Sequence, residues 1–188
     1  YENSWGGHHF KATAGGQYED YRSTSLDVKQ TDLSSDNIDS FTVATGPITL
    51  SQSISAYRTL GFFGRVNYDY EGRYIFEASA RGDGSSLFDK GHKWGFFPSA
   101  AVGWNIANES FLKDAKWLNT MKLRLSYGKL GNNHVNPYKY QSLVSSSGNE
   151  TVNGNPNLTW EVVSIWNAGL DLSFFDNQLD LTVDVFRK

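Results

Sequence analysis

Histidine and serine, the side chains best suited to catalysis, are spread along the sequence in patterns that build no reactive group. His8 and His9 are adjacent, but consecutive residues of a strand point to opposite faces, so the pair cannot chelate one ion from the same side. His92 and His134 lie far apart, without carboxylates at a recurring spacing. No serine lies in a Gly-x-Ser-x-Gly turn, and no glycine-rich loop precedes a helix. We therefore expect neither an enzyme nor a histidine metal site.

Oxygen-bearing side chains are concentrated in one segment that could bind calcium. The residues concerned are Asp32, Asp36, Asn37 and Asp39. Carboxylate and amide oxygens are calcium ligands, but the same residue types more often form solvated turns. We expect no cofactor, and calcium bound by the long loops is the minor alternative.

The composition excludes several classes of protein. The 188 residues are 39% hydrophobic and 15% aromatic with a net charge of −3, which is not the composition of a disordered chain. With 17 basic and 20 acidic residues, nucleic acid is not an expected partner. The chain has no cysteine, and its mean hydropathy of −0.48 is typical of soluble proteins. Transmembrane β-barrels share that average, because their strands alternate apolar and polar residues.

Alternation of apolar and polar residues predicts an all-β protein with about seven antiparallel strands. The expected strands cover residues 9–18, 62–70, 73–81, 100–106, 120–127, 166–174 and 179–185. Such alternation is also typical of a soluble sandwich, in which the apolar faces of two sheets form a shared core. A soluble carbohydrate-binding module of sandwich type is therefore the alternative that the pattern leaves open.

Three features favour a membrane-spanning barrel over the sandwich. The expected strands are about 9 to 11 residues long, as a tilted strand needs to cross a bilayer. Short connections (71–72, 108–116 and 176–177) alternate with long ones (20–59, 82–95 and 129–161), as periplasmic turns alternate with extracellular loops. Aromatic side chains gather at the strand ends next to the short connections, as in an interfacial girdle. They are Tyr68, Tyr70, Tyr74, Trp104, Trp117, Phe174 and Phe175.

The polar side of the strands carries charges that are costly in lipid, so we expect it to line a wet interior. The charged residues of this lumen-facing wall are Arg65, Asp69, Glu77, Lys122, Arg124, Asp171, Asp180 and Asp184. Seven strands leave two open edges, which a membrane does not tolerate. We therefore predict an up-and-down transmembrane barrel segment completed by other parts of a longer chain, with both ends of this sequence as cuts.

Linked motifs in the second half of the sequence resemble one known family. They include Gly61 to Tyr68, Arg81 to Ser86, Trp94 to Ser99, Glu109 to Leu112, and Asn155 to Glu161. Together, over about residues 55 to 188, they resemble the SusC/RagA family of TonB-dependent outer-membrane transporters of Bacteroidetes. The first 55 residues match only in general character.

The resemblance implies that residues 1–188 belong to the later part of a barrel of about 22 strands, without the plug and other N-terminal regions. It implies a Gram-negative outer-membrane protein that imports a nutrient, a glycan, oligosaccharide or peptide. Expected partners are outer-membrane lipid, a SusD-like surface lipoprotein and, through regions outside this sequence, the TonB complex. Weak candidates for substrate contacts, by position, are Trp94, Asn132, Asn133 and Tyr138.

Overall fold

The computed structural model describes residues 1–32, 34, 40–112, 115–144 and 150–188. Eight strands form one antiparallel sheet in the order β1-β2-β3-β4-β5-β6-β9-β10, and β7 pairs with β8 separately. The strands are β1 Glu2–Trp5, β2 His8–Gln30, β3 Ile48–Tyr70, β4 Tyr74–Ser85, β5 Trp94–Asn105, β6 Leu118–Asn132, β7 Leu143–Val144, β8 Glu150–Val152, β9 Glu161–Phe174 and β10 Leu179–Arg187. The expected all-β, up-and-down architecture is confirmed.

Two short 3₁₀-helices complete the secondary structure of the described residues. They are Phe41–Val43 and Ile106–Asn108. No helix within the described ranges has the length and apolar character required to cross a membrane.

The tight hairpins follow from residues that accept a positive φ. Glu71 and Gly72 have φ of 53° and 64°, which is the primed turn that matches the twist of the flanking strands. Glycine adopts this conformation without steric cost. The last hairpin is closed by three residues with positive φ, Phe175, Asp176 and Asn177, at 54°, 57° and 64°.

The first two long strands differ from the sequence prediction. β2 and β3 pair without interruption from His8 with Tyr70 to Gln30 with Ile48. The connection expected over 20–59 was therefore wrong in extent, and the strands end only at residues 30 and 48. The outer halves of both strands are rich in serine, threonine and charged residues. Because the prediction counted only apolar alternation, it assigned these segments to a loop. The sheet has one strand more than the seven predicted. This strand is β1, which pairs with the start of β2.

The connections lie at two opposite rims of the sheet. The turn rim carries connections 6–7, 71–73, 106–117 and 175–178, and the loop rim carries 31–47, 86–93 and 133–160. The predicted strict alternation of short and long connections was wrong at one place, because 106–117 spans more residues than 86–93. β4 extends to Ser85 and β5 begins at Trp94, so the connection expected over 82–95 is reduced to residues 86–93.

The sheet has an apolar face and a charged face. Cross-strand register places Val66, Leu123, Leu170 and Val183 on the apolar face. Leu123 is 37% exposed and Val183 49% exposed, so neither belongs to a dry core. A single sheet of eight strands also provides no second sheet over this face among the described residues, as a sandwich would require.

Candidate functional site

The charged face collects the eight charged residues that the sequence placed on one wall. The register puts Arg65, Asp69 and Glu77 on the same face across β3 and β4. Lys122 and Arg124 of β6 share that face with Asp171 of β9, and Asp180 and Asp184 of β10 complete the set. Their orientation toward a barrel lumen stays a prediction.

Several of these charges pair with each other across strands. Arg65 donates to Glu77 at 2.6 Å. Arg124 donates to both oxygens of Asp171 at 2.7 and 2.9 Å, and also to Asp184 at 3.3 Å. The side chains of Arg124, Asp171 and Asp184 are 28% to 39% exposed, so water contacts these ion pairs. Each pair therefore adds little to the free energy of unfolding.

A cavity of about 540 Å³ opens on the charged-face side at the loop rim, and we call it the rim cavity. Its walls come from the outer parts of β2, β3 and β4 and from the connection after β6. The residues used below are Gln17, Glu19, Tyr21, Tyr57, Arg81, Asp83 and Trp160. The rim cavity thus combines polar, charged and aromatic side chains.

One wall of the rim cavity is a tyrosine pair on the β2–β3 hairpin. Tyr21 and Tyr57 are cross-strand partners, and their rings stack at a centroid distance of 4.8 Å. The hydroxyl groups of Tyr57 and Thr59 donate to the two oxygens of Glu19 at 3.2 and 3.4 Å. Because the strands stay paired this far out, these side chains lie on a sheet surface and not on a loop.

A second wall is formed by an arginine held in one orientation. The Nε atom of Arg81 donates to Asp83 at 2.8 and 2.6 Å, and Nη2 donates to Gln17 at 3.1 Å. The guanidinium carbon lies 5.8 Å from the ring centre of Phe63, a cation–π distance. Gly61 lies directly beneath the pair, since a Cβ there would collide with Asp83.

Trp160 joins the rim cavity to the small buried cluster of the sheet. Its ring lies 5.5 Å from Phe88 and 5.2 Å from Phe97, and its indole N–H donates to the carbonyl oxygen of Lys93 at 2.9 Å. Phe88 is 0% exposed, and Leu87 and Phe97 are 5% and 8% exposed. These contacts hold connection 86–93 against Trp160 and β5 at the loop rim.

Only one of the four candidate substrate residues lies in the rim cavity. Asn133 lines it. Asn132 donates to Glu161 at 3.2 Å, Tyr138 is 42% exposed with φ of 66°, and Trp94 is 59% exposed on the apolar face, in register with Gly84. The substrate role of all four stays a prediction.

The possible metal ligands remain separate in the described residues. His8 hydrogen-bonds to the Tyr68 hydroxyl and His9 to Ser4, each at 2.8 Å. No group of three or more histidine, aspartate or glutamate residues suited to a metal occurs within the described ranges. Asp36, Asn37 and Asp39 lie outside those residues, so the calcium alternative stays a prediction, and Asp32 accepts backbone and hydroxyl donors from Thr45 through its carbonyl.

The turn rim carries a different polar cluster, centred on Glu109. This glutamate is 8% exposed and accepts hydrogen bonds from the Tyr74 hydroxyl at 2.7 Å, the Trp104 indole at 3.0 Å and Arg73 at 3.4 Å. These donors, the Tyr74 hydroxyl first, hold the pKa of Glu109 below its ordinary value. Arg73 also lies 5.7 and 5.8 Å from the ring centres of Tyr70 and Tyr74. The cluster ties connection 106–117 to β4 and β5.

Sequence analysis missed the main residues of the rim cavity, including Glu19, Tyr21, Tyr57 and Arg81. One signal was present: Tyr21, Tyr57 and Thr59 are residue types that favour strands, although both tyrosines lie on the polar side of the alternation. Counting aromatic residues as strand formers would have extended both strands. The closeness of Arg81 and Asp83 is also readable, because residues two apart in a strand share a face.

Comparison with known proteins agrees with this geometry. Residues 1–188, the whole chain, match the family described as "TonB dependent receptor-like, beta-barrel". The chain belongs to this family. Its predicted resemblance to SusC/RagA transporters is confirmed as well.

Similar TonB-dependent receptors occur in two bacteria. TonB-dependent receptor P3 of Formosa agariphila is 36% identical over 199 residues, which cover 99% of this chain and 20% of that protein. TonB-dependent receptor SusC of Bacteroides thetaiotaomicron is 34% identical over 209 residues, which cover 100% of this chain and 20% of SusC. The chain thus spans about a fifth of the length of these curated relatives.

The fold also matches solved structures of a transporter. The structure of the RagAB peptide transporter superposes with a TM-score of 0.87 and 27% identity, covering 99% of this chain and 22% of that one. The RagAB peptide importer in its "open-open" state matches equally well, with a TM-score of 0.87. The sheet of this chain therefore has the same fold as a part of that transporter.

Proposed function

We propose that this chain forms part of the wall and outer rim of a TonB-dependent transporter in the outer membrane of a Gram-negative bacterium. The observation that carries the proposal is the two-faced sheet. Large apolar side chains are exposed along one face, as Leu123, Leu125 and Val183 illustrate, while ion pairs cover the other. Lipid on the apolar side and an aqueous lumen on the charged side satisfy both faces.

The two rims support one orientation in the membrane. Outer-membrane barrels carry their turns on the periplasmic side and their longer loops outside. The turn rim, with its ring of Tyr68, Tyr74 and Trp104, then lies at the periplasmic interface. The loop rim and the rim cavity face the outside, where an incoming solute arrives first.

The solute that we propose is a nutrient, an oligosaccharide or a peptide. Support comes from the similarity to SusC and to the RagAB peptide transporter. The rim cavity offers aromatic rings, a carboxylate and a guanidinium, which suit the hydroxyl groups of a sugar and the amides of a peptide alike. We further propose that a SusD-like surface lipoprotein covers the loop rim, and that TonB supplies energy through parts of the protein outside this chain.

The charged face has a supporting role in this proposal. Arg65, Glu77, Arg124 and Asp171 line the lumen, where they contact water and a plug. Each Arg at the midplane of the lipid side would cost about 2 to 4 kcal/mol, so this side of the sheet is the one that suits them. In this assignment the chain carries no catalytic group.

Deletion of the gene that encodes the full-length protein tests the proposal. We expect the deletion strain to lose growth on one defined oligosaccharide or peptide as sole source of carbon or nitrogen, and the full-length gene to restore it. We also expect the full-length protein to require detergent for extraction from the envelope. A stable monomer in an aqueous extract without amphiphile would contradict the proposal. Unchanged growth of the deletion strain on every oligosaccharide and peptide tested would also contradict it.

A further inference from the structure

The rim cavity contains one carboxylate, that of Glu19, which forms no ion pair with a cation of the described residues. Glu19 is exposed, and within the described ranges its two oxygens accept hydrogen bonds from the hydroxyl groups of Tyr57 and Thr59. No lysine, arginine or histidine of the described ranges forms an ion pair with it, whereas Arg58 on the opposite face pairs with Asp20 at 2.9 Å. Neutral donors orient the Glu19 carboxylate but leave its negative charge in place.

The arginine of the same cavity cannot supply the missing charge. Arg81 is bound through Nε to both oxygens of Asp83 and through Nη2 to Gln17. The pair has no net charge, and its N–H shared between two carboxylate oxygens is a charge-assisted hydrogen bond. Gln17 also occupies the strand position between Arg81 and Glu19, two residues before Glu19 on the same face of β2.

The remaining titratable groups of the cavity do not offset the negative charge of Glu19. Tyr21 and Tyr57 are neutral phenols near neutral pH. His134, on the connection after β6, donates its backbone N–H to Asn132 and forms no ion pair with Glu19 among the described contacts. The cavity is bounded by low-dielectric walls, which concentrate the field of a single charge. A solute group that enters the cavity therefore meets a negative potential.

We propose that Glu19 makes the rim cavity a charge-selective subsite, which accepts uncharged or cationic groups of the solute and disfavours anionic ones. The inference rests on the proposed import function and narrows its substrate class. Amino sugars, neutral sugars and basic or uncharged peptides fit the subsite. Uronates, sulfated sugars and acidic peptides are disfavoured at this position of the rim.

Charged thiol reagents measure this selectivity without knowledge of the solute. The sequence contains no cysteine, so Ser55→Cys, which lines the cavity, places one thiol in this part of the full-length protein in outer-membrane vesicles. The measured quantity is the ratio of its reaction rates with a cationic and an anionic methanethiosulfonate of similar size. A change in the thiol's own reactivity cancels in that ratio, because both reagents react with the same thiolate.

Replacing the carboxylate should lower that ratio. Ser55 and Thr59, the register partner of Glu19, are roughly 13 Å apart along β3. At an ionic strength of about 0.01 M we expect Glu19→Gln to reduce the cation-to-anion ratio by about threefold or more. Glu19→Asp, which keeps the charge, should retain most of the ratio.

The matched control is Asp180→Asn, which removes one negative charge from the charged face at the turn-rim end of β10, far from Ser55. We expect this control to leave the ratio within error of the parent. An unchanged ratio in Glu19→Gln, or an equal fall in Asp180→Asn, overturns the inference. The result is independent of growth phenotypes, so a failure of the import proposal and a failure of charge selectivity are distinguishable.

Discussion

The two rims of the sheet use polar side chains in opposite ways. At the turn rim, Glu109 is 8% exposed and accepts hydrogen bonds from Tyr74 of β4, Trp104 of β5 and Arg73 of connection 71–73. Its hydrogen-bonding capacity therefore serves the chain itself. At the loop rim, Glu19 is exposed and keeps an uncompensated charge. The same residue type stabilises structure where it is enclosed and remains available to a ligand where it faces a cavity.

The largest effect is expected at the loop rim, from Phe88→Ala. Phe88 is 0% exposed and contacts Trp160, so its removal leaves a cavity that costs about 3 to 5 kcal/mol. Hydrogen exchange of segment 86–93 in the full-length protein should then rise strongly. Exchange at the turn rim should stay unchanged, and a rise at both rims would show that the rims are not independent.

Between the rims, Leu123→Arg tests which face meets lipid. Leu123 is 37% exposed on the apolar face, and an arginine there should destabilise the protein folded in phospholipid vesicles by about 2 to 4 kcal/mol. The measurement is a urea titration of the folded fraction. Ser126→Arg, on the charged face of the same strand, is the control, and an equal loss in both variants would contradict the assignment of the faces.

At the turn rim, Glu109→Gln should weaken the attachment of connection 106–117. The lowered pKa of Glu109 means that its stabilising effect is complete above the ordinary glutamate pKa and is lost as the pH falls through the lowered value. Proteolysis of this connection should therefore accelerate in the variant at neutral pH, and in the parent only in acid. An acid dependence of the same size in Glu109→Gln would exclude Glu109 as the titrating group.

The smallest effect is expected for the tyrosine pair of the rim cavity. Stacked aromatic pairs contribute about 0.5 to 1.5 kcal/mol beyond area burial, so Tyr21→Ala and Tyr57→Ala should show a coupling of that size in a double-mutant cycle. The free energy of unfolding from a urea titration measures it. Purely additive effects would mean that the two rings act separately, and that the outer hairpin gains no stability from stacking.

Prediction from sequence succeeded where one residue type can satisfy one local rule. Glu71-Gly72 marks a primed turn because glycine tolerates positive φ, and the alternation around Val66 and Leu123 gives the correct faces because strands have a period of two. It failed at the outer halves of β2 and β3, whose serine and threonine residues lack an apolar period. Their pairing depends on register with the partner strand, which no single segment contains.

By itself the sequence determined the inner parts of seven strands, the two faces and the family, because alternation and turn residues are local properties of the chain. The tertiary structure alone decided that Glu19, Arg81 and Trp160, far apart in sequence, border one cavity. It also decided that Asp83 neutralises Arg81 while Glu19 remains uncompensated. The physical reason is that a charge acts on its surroundings through distance and solvent exposure, and the fold sets both.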